Sequence, residues 1–493
     1  MSPAAVSLTT IFVIVALGAA LGFLAGMRRK MDLEQWTVAG RGFGAVFMFL
    51  LMAGELYTTF SFLGASGWAY SRGGPTLYIL AYQPLGYVVS FFILPRIWEI
   101  GRKYGMQTQA DFFTVRYGNK YLTALVCLVG IVSFIPYLQL QITGLGIIVS
   151  IASFDGIGRT PAMIISVALV VALVIASGIR AVAWVSALKD ALMLLAVLTV
   201  GIAIPFMYFG GIGPMFTALV HAHPAHLTMP GATANLGHTW YISTIIQTSL
   251  SVYMWPHMFG TAFTAKSGDT LRRNAVVMPL YTLSLAFVFF AGFAAVLIAP
   301  GLADGDLALL TVIRRSFAPW FLGVIGAAGA LTAMVPAAIF LLTAATLCVK
   351  NFYRPLLAPS ITDNQVAKIA RVMVVVLGAI SLFFAIYSST TLVYLLLMGY
   401  AGVSQFFPGV VLGLYWKRVT MPGVFAGLIV GVATAMFLML GHWDPLFGWS
   451  AGFLALCVNF VVTVLMSLLT PISADNGHGS ADFIIGTSLR VSR

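Results

Sequence analysis

Apolar runs of about 20 residues, the length that crosses a hydrocarbon core of about 30 Å as a helix, recur along almost the whole chain. They begin near residues 8, 45, 77, 122, 162, 185, 240, 275, 320, 371, 391, 422 and 449, which predicts an all-α integral membrane protein of about thirteen transmembrane helices. The stretches between runs are short, so residues 1–471 read as one membrane domain and residues 472–493, rich in Ser, Gly, Asn and Asp, as a flexible tail. Two runs are interrupted. In Phe43 to Ala69, Gly54, Gly64 and Gly67 weaken a continuous helix, while Tyr57, Thr58, Thr59 and Ser61 offer hydroxyls where backbone bonds are lost. In the second, Ser251-Val-Tyr-Met-Trp255-Pro256-His257 sets a proline and a histidine deep in apolar sequence. Interruptions at matching places in two sets of five spans point to an inverted repeat, here about 43–208 and 240–415, with a binding site between the halves.

Composition agrees: of 493 residues 60% are hydrophobic and 8% charged, with a mean hydropathy of +0.99, values no soluble domain matches. The first basic residue, Arg28, follows the run Leu8 to Gly26, so the start lacks the basic region of a cleaved signal and reads as a retained span. A net charge of +12 would suit a nucleic-acid binder only if it were clustered. Instead, with Lys189 counted in the turn between the fifth and sixth spans, all but Arg72, Arg159, Arg314 and Arg315 of the 26 Lys and Arg fall on one side. The positive-inside rule then puts the N-terminus outside and the C-terminus in the cytoplasm.

Cys127, Cys348 and Cys457 sit in apolar runs without metal spacing and read as packing residues. His221, His223 and His226 lie in the longest outside loop without a carboxylate or Cys cluster, which favours a solvated loop over a metal site. No metal or cofactor is expected. The chain has no Walker motif, no His-Glu-x-x-His, no paired carboxylates within spans and no nucleophile elbow, which argues against ATP-driven transport and intramembrane catalysis.

Candidate chemistry centres on Glu55, read as the one of fourteen acids well inside a span. A charge at a helix centre costs on the order of 3 kcal/mol, so it marks an ion or substrate path, or else a protonated acid that bonds a neighbouring helix. Desolvation and neighbouring charge could move such a carboxyl across the physiological range, which makes Glu55 the candidate proton-coupling group. Tyr137, Gln141 and Gly144 share one face of the fourth span. His257 is either a working residue or a polar residue at a helix end.

Four sequence patterns then carry a resemblance: Thr108-Gln-Ala-Asp111-Phe-Phe-Thr-Val-Arg116-Tyr117-Gly118; Ser177-Gly178-Ile-Arg180-Ala-Val-Ala-Trp184; Pro256-His257 with Thr264-Ala-Lys266-Ser267; and Gly413-Leu-Tyr-Trp-Lys417-Arg418 with Gly423, Gly427 and Gly431. Their order and spacing resemble the sodium:solute symporter family over nearly the whole chain. Met52 to Phe60 and Leu331 to Ala337 look like its bacterial monocarboxylate permease branch. The resemblance implies a LeuT-like fold of two inverted five-helix repeats with broken helices in spans 2 and 7, in a bacterial plasma membrane. It implies substrate between the broken helices, near Thr58, Thr59, Trp255 and His257, with Tyr137 and Gln141 on a lining span. The family's sodium site falls on Gly54 and Tyr57 carbonyls and on span 9, but there the chain has Val335 and Pro336 in place of hydroxyls, and Ser186 in place of an acid. Sodium would lack ligands. Lys189, one turn after Ser186, can take its place, helped by a Thr332 carbonyl that Pro336 leaves without its N–H partner; alternatively Lys189 snorkels or pairs with Asp190. The function expected is uptake of lactate, pyruvate, acetate or propionate with protons. A sodium-coupled symporter of another small solute and a transporter-like sensor stand as rivals.

Overall fold

The computed structural model describes residues 1–26, 41–233 and 235–471, with side chains for all of these except 23–26 and 176–184. The expected tail and the side chains of the Ser177 to Trp184 pattern therefore lie outside the described residues. Within them the backbone is helical, and two isolated bridges, Phe43 with Ala265 and Leu446 with Trp449, are the only β pairing. Among the described residues ten helices are long and apolar enough to cross a membrane, and a bent pair, Ala45–Leu56 with Phe60–Ser71, makes an eleventh. The thirteen predicted runs are all helical but do not all qualify. The span expected near 162 merges with its successor in one helix, Arg159–Phe209, and the run near 240 is divided into His238–Ser251, a 3₁₀ turn at Val252–Met254 and Pro256–Thr261.

Pro319–Thr346 is the central helix, with nearly every residue from Leu322 onward buried. Its glycines admit neighbours closely: a Cβ on Gly323 would lie 2.6 Å from Thr10 of the first helix, Pro3–Gly26. A second such seam joins Met421–Leu440 to Ala451–Leu469, where Gly423, Gly427 and Gly431 face Ser467, Thr463 and Asn459. Lipid tails are as apolar as Leu, so close backbone approach and polar contacts across it hold such helices together. The two interrupted segments are tied at one end, where Phe43 N–H donates to the Thr264 carbonyl (3.0 Å) and Lys266 N–H to the Phe43 carbonyl (2.9 Å).

Candidate functional site

The first interruption contains no proline. Ala45–Leu56 stops at Tyr57, whose φ of −88° and ψ of 103° are extended, and the chain resumes as a π-helical turn, Phe60–Gly64, and Ala65–Ser71, bent by 53°. Hydroxyls replace the lost backbone bonds: Thr58 N–H goes to Ser61 Oγ at 3.2 Å, Ser61 Oγ donates to the Leu56 carbonyl, and Phe60 N–H goes to Thr58 Oγ1 at 3.2 Å. The freed carbonyls of Gly54 and Tyr57 both accept from the Lys189 ammonium, the second at 2.9 Å. Lys189 is wholly buried and its Nζ lies 3.4 Å from Asp190 Oδ1. The approach is close because residue 54 is glycine; a Cβ there would sit 2.9 Å from Ser186 Oγ and 3.7 Å from the ammonium.

Three sequence readings are corrected here. Lys189 does not lie in a cytoplasmic turn or snorkel, because the helix continues through that position and buries it, although it does also pair with Asp190. The Thr332 carbonyl is not among its acceptors, which are the Gly54 and Tyr57 carbonyls, with Asp190 beside it as an ion pair. Glu55 is not the one acid deep in a span, since Asp190 is buried too. Thr332, Val335 and Pro336 are buried in the central helix, and Thr332 Oγ1 has no hydrogen-bond partner among the described residues.

Proline makes the second interruption. Pro256 disfavours helix at the preceding residue and cannot donate, so Trp255 is extended (φ −58°, ψ 128°) and Pro256 begins the next helix, where its missing N–H is harmless. The Met254 carbonyl accepts from Gln109 Nε2 at 2.7 Å.

Between the breaks lies a cavity of about 40 Å³, lined by Glu55 and Thr58 from the first, Trp255 and His257 from the second, and Tyr137, Gln83 and Tyr400 from neighbouring helices. It has room for a water or two. His257 Nε2 stands 3.2 Å from Glu55 Oε2, and both side chains are 2% exposed. Aromatic rings wall them in, Tyr137 to Phe340 at 4.2 Å, His257 to Phe340 at 4.6 Å and Tyr137 to Trp255 at 4.8 Å between centroids. Thr58, Tyr137, Trp255 and His257 thus meet as a group. Thr59 and Gln141 instead bond each other, Oγ1 to Oε1 at 2.7 Å, and do not line the cavity. Gly144 makes room for that pair, since a Cβ on it would be 2.5 Å from Thr59 Cγ2.

A second cavity of about 30 Å³ is lined by His257, Gln107, Thr108, Thr343 and Thr346 with their neighbours. Beyond Thr108 lies Asp111, which takes Lys350 Nζ at 2.8 Å, Asn351 Nδ2 at 2.7 Å and the N–H groups of Gln107 and Thr108. Burial pushes the Asp111 carboxyl up, but Lys350 and these donors outweigh it and hold the group below its ordinary value. Sequence reasoning missed the burial of Asp190, the place of Tyr400 in the cavity wall and the contact of Glu55 with His257. Only Asp190 had a local signal, an opposite charge adjacent to Lys189 within apolar sequence.

Paired broken helices around a polar cavity are the arrangement of a secondary transporter. The chain belongs to the sodium:solute symporter family, whose sequence profile matches residues 36–431. It is 44% identical over 477 residues to the "Uncharacterized symporter YhjB" of Bacillus subtilis, covering 94% of this chain and 97% of that one. To the "Monocarboxylate transport permease protein" of Rhizobium johnstonii it is 28% identical over 469 residues, 92% of this chain and 95% of that one. Its fold is similar to that of a Na⁺-coupled sialic acid symporter in a substrate-bound outward-open state, with a TM-score of 0.80 at 16% identity over 95% of this chain and 98% of that one. That likeness bears out the all-helical, LeuT-like architecture.

Proposed function

We propose that this protein imports small monocarboxylates across a bacterial plasma membrane with protons, its N-terminus outside, its C-terminus cytoplasmic and its repeats, about 43–208 and 240–415, rocking around the cavity. One observation carries the coupling: the Lys189 ammonium bonds the Gly54 and Tyr57 carbonyls. A sodium ion there would meet a fixed positive charge and, at Val335 and Pro336, no side-chain oxygen. Glu55, the acid that lines the cavity and faces His257, is the group that carries the coupled proton in this reading.

The substrate class is supported by the Rhizobium relative's name and by the site's chemistry. Helix-end amides at the two breaks, the Thr58 hydroxyl and the positive charge of Lys189 favour a small anion, while Tyr137, Trp255 and Phe340 suit a short apolar tail. A proton and a carboxylate crossing together are electroneutral, so membrane potential alone should drive little uptake. Sodium coupling to another solute is the second reading, favoured by the family and by the sialic acid symporter of the same fold.

Purified protein in liposomes, with pH and sodium gradients imposed separately, tests this. Lactate or propionate should accumulate on the pH gradient alone, and lactamide or propionamide should compete poorly. A strict sodium requirement with no response to pH would overturn proton coupling; equal competition by the amides would overturn anion recognition. A protein that moves none of these acids yet binds them would be a sensor.

A further inference from the structure

His257 is the one residue that lines both cavities. Its Nε2 faces Glu55 at 3.2 Å on the central side, while Nδ1, on the other edge of the ring, is buried without a hydrogen-bond partner among the described residues. An imidazole that lines both cavities, with Nε2 against Glu55 and Nδ1 left without a partner among the described residues, can take a proton at one nitrogen and release it at the other. We propose, resting on the proton-coupled reading above, that His257 relays the coupled proton from Glu55 to the second cavity, giving it an exit separate from the one the substrate needs.

The step balances. The Glu55 O–H bond breaks and its proton goes to Nε2; the imidazolium then loses its Nδ1 proton to water in the second cavity, leaving a carboxylate and a neutral ring protonated on Nε2. Exchange with water, one proton leaving Nε2 as another joins Nδ1, restores the starting tautomer. Hydroxyls and amides of Thr108, Gln107, Thr343 and Thr346 give that water partners, and the route ends by Asp111 and Lys350.

The charged and titratable neighbours are few. Glu55 faces His257 from Ala45–Leu56, and Tyr137 from Lys120–Ala152, with ring centroids 6.2 Å apart. The central helix presents Phe340. On Gln109–Tyr117, which packs against the His257 helix, Asp111 is held by Lys350 and Arg116 donates to the Gly413 carbonyl. Lys189 and Asp190 act on the same break through its carbonyls. No fixed charge therefore stands between Glu55 and the ring to intercept the proton.

The experiment compares pH-driven uptake with counterflow exchange of labelled lactate in proteoliposomes, in H₂O and in D₂O, for the wild type, His257→Gln and the double variant Thr343→Val with Thr346→Val. His257→Gln should lower the ratio of pH-driven rate to exchange roughly tenfold or more. The double variant, which preserves shape but removes the hydroxyls that hold water, should lower the same ratio and increase the slowing in D₂O. A wild type without pH-driven uptake overturns the proton-coupled reading and the relay with it. A coupled wild type with an unchanged ratio in His257→Gln overturns the relay alone. If His257→Gln does not fold, an unchanged ratio and isotope effect in the double variant overturn it.

Discussion

The two broken helices reach the same shape by opposite means. The break at Trp255 is written into its own segment by Pro256, which removes a donor and restricts its neighbour regardless of the surroundings. The break at Tyr57 has no such residue, and its carbonyls are held open by a lysine from another helix. One break is thus intrinsic and the other conditional. A transporter that couples two events needs a conditional element, because only a structure held from outside can respond to a change in charge or access elsewhere.

Removing the outside support should have the largest effect. Lys189→Ala strips the Gly54 and Tyr57 carbonyls of their donor and leaves Asp190 buried without its partner, a change that typically costs about 3–5 kcal/mol. Uptake per folded protein should fall at least about a hundredfold, and added sodium should not restore it; full activity of this variant would erase the contrast between the breaks. Glu55→Gln comes next. It mimics the protonated acid but cannot release a proton, so accumulation on a pH gradient should drop about tenfold or more relative to counterflow; an unchanged pH dependence would send the coupling proton elsewhere.

Pro256→Ala probes the intrinsic break. The new N–H and freer φ let helix invade Trp255, and initial uptake should fall several-fold. A loss as deep as that of Lys189→Ala would mean that the two breaks do not differ in kind. The smallest effect is on stability. Asp306 abuts the outer piece of the first broken helix, where a Cβ on Gly67 would lie 2.6 Å from Asp306 Oδ1, and it accepts Leu392 N–H at 3.0 Å. Burial, against the pull of the Leu392 N–H and with help from Asp304, pushes its carboxyl up from 3.8 to about 7. A carboxyl raised on folding favours the folded state fully only below about pH 4 and loses that contribution as pH rises through about 7. Melting in detergent should fall between about pH 4 and 7 in the wild type and level off above, and Asp306→Asn should flatten that fall, melting a few degrees higher than the wild type at pH 8. Parallel curves for the two would return the pH dependence to other groups.

The spans, the two interruptions and the burial of Glu55 were legible because each has a local signature, an apolar run, a glycine or proline, or an acid in apolar sequence. Depth and pairing were not. Tyr137, Gln141 and Gly144 share a face that does meet the first break, yet Gln141 and Gly144 serve Thr59, and only Tyr137 reaches the cavity. Periodicity gives direction around a helix but not height along a partner. Asp190 was misplaced because the pattern at Ser177 to Trp184 reads as a turn, which would put the following residues near a surface, whereas the helix runs on from Arg159 to Phe209. Nothing near Glu55 in the chain announces His257, because their contact exists only once the two broken segments are packed together.

A dissolved ion at the first break would come and go with the composition of the medium. The ammonium that bonds Gly54 and Tyr57 is carried on the chain itself, so its local concentration is fixed by a tether of four methylenes and cannot be diluted, depleted or exchanged. The cation that bonds these two carbonyls therefore has the same occupancy in fresh water as in brine.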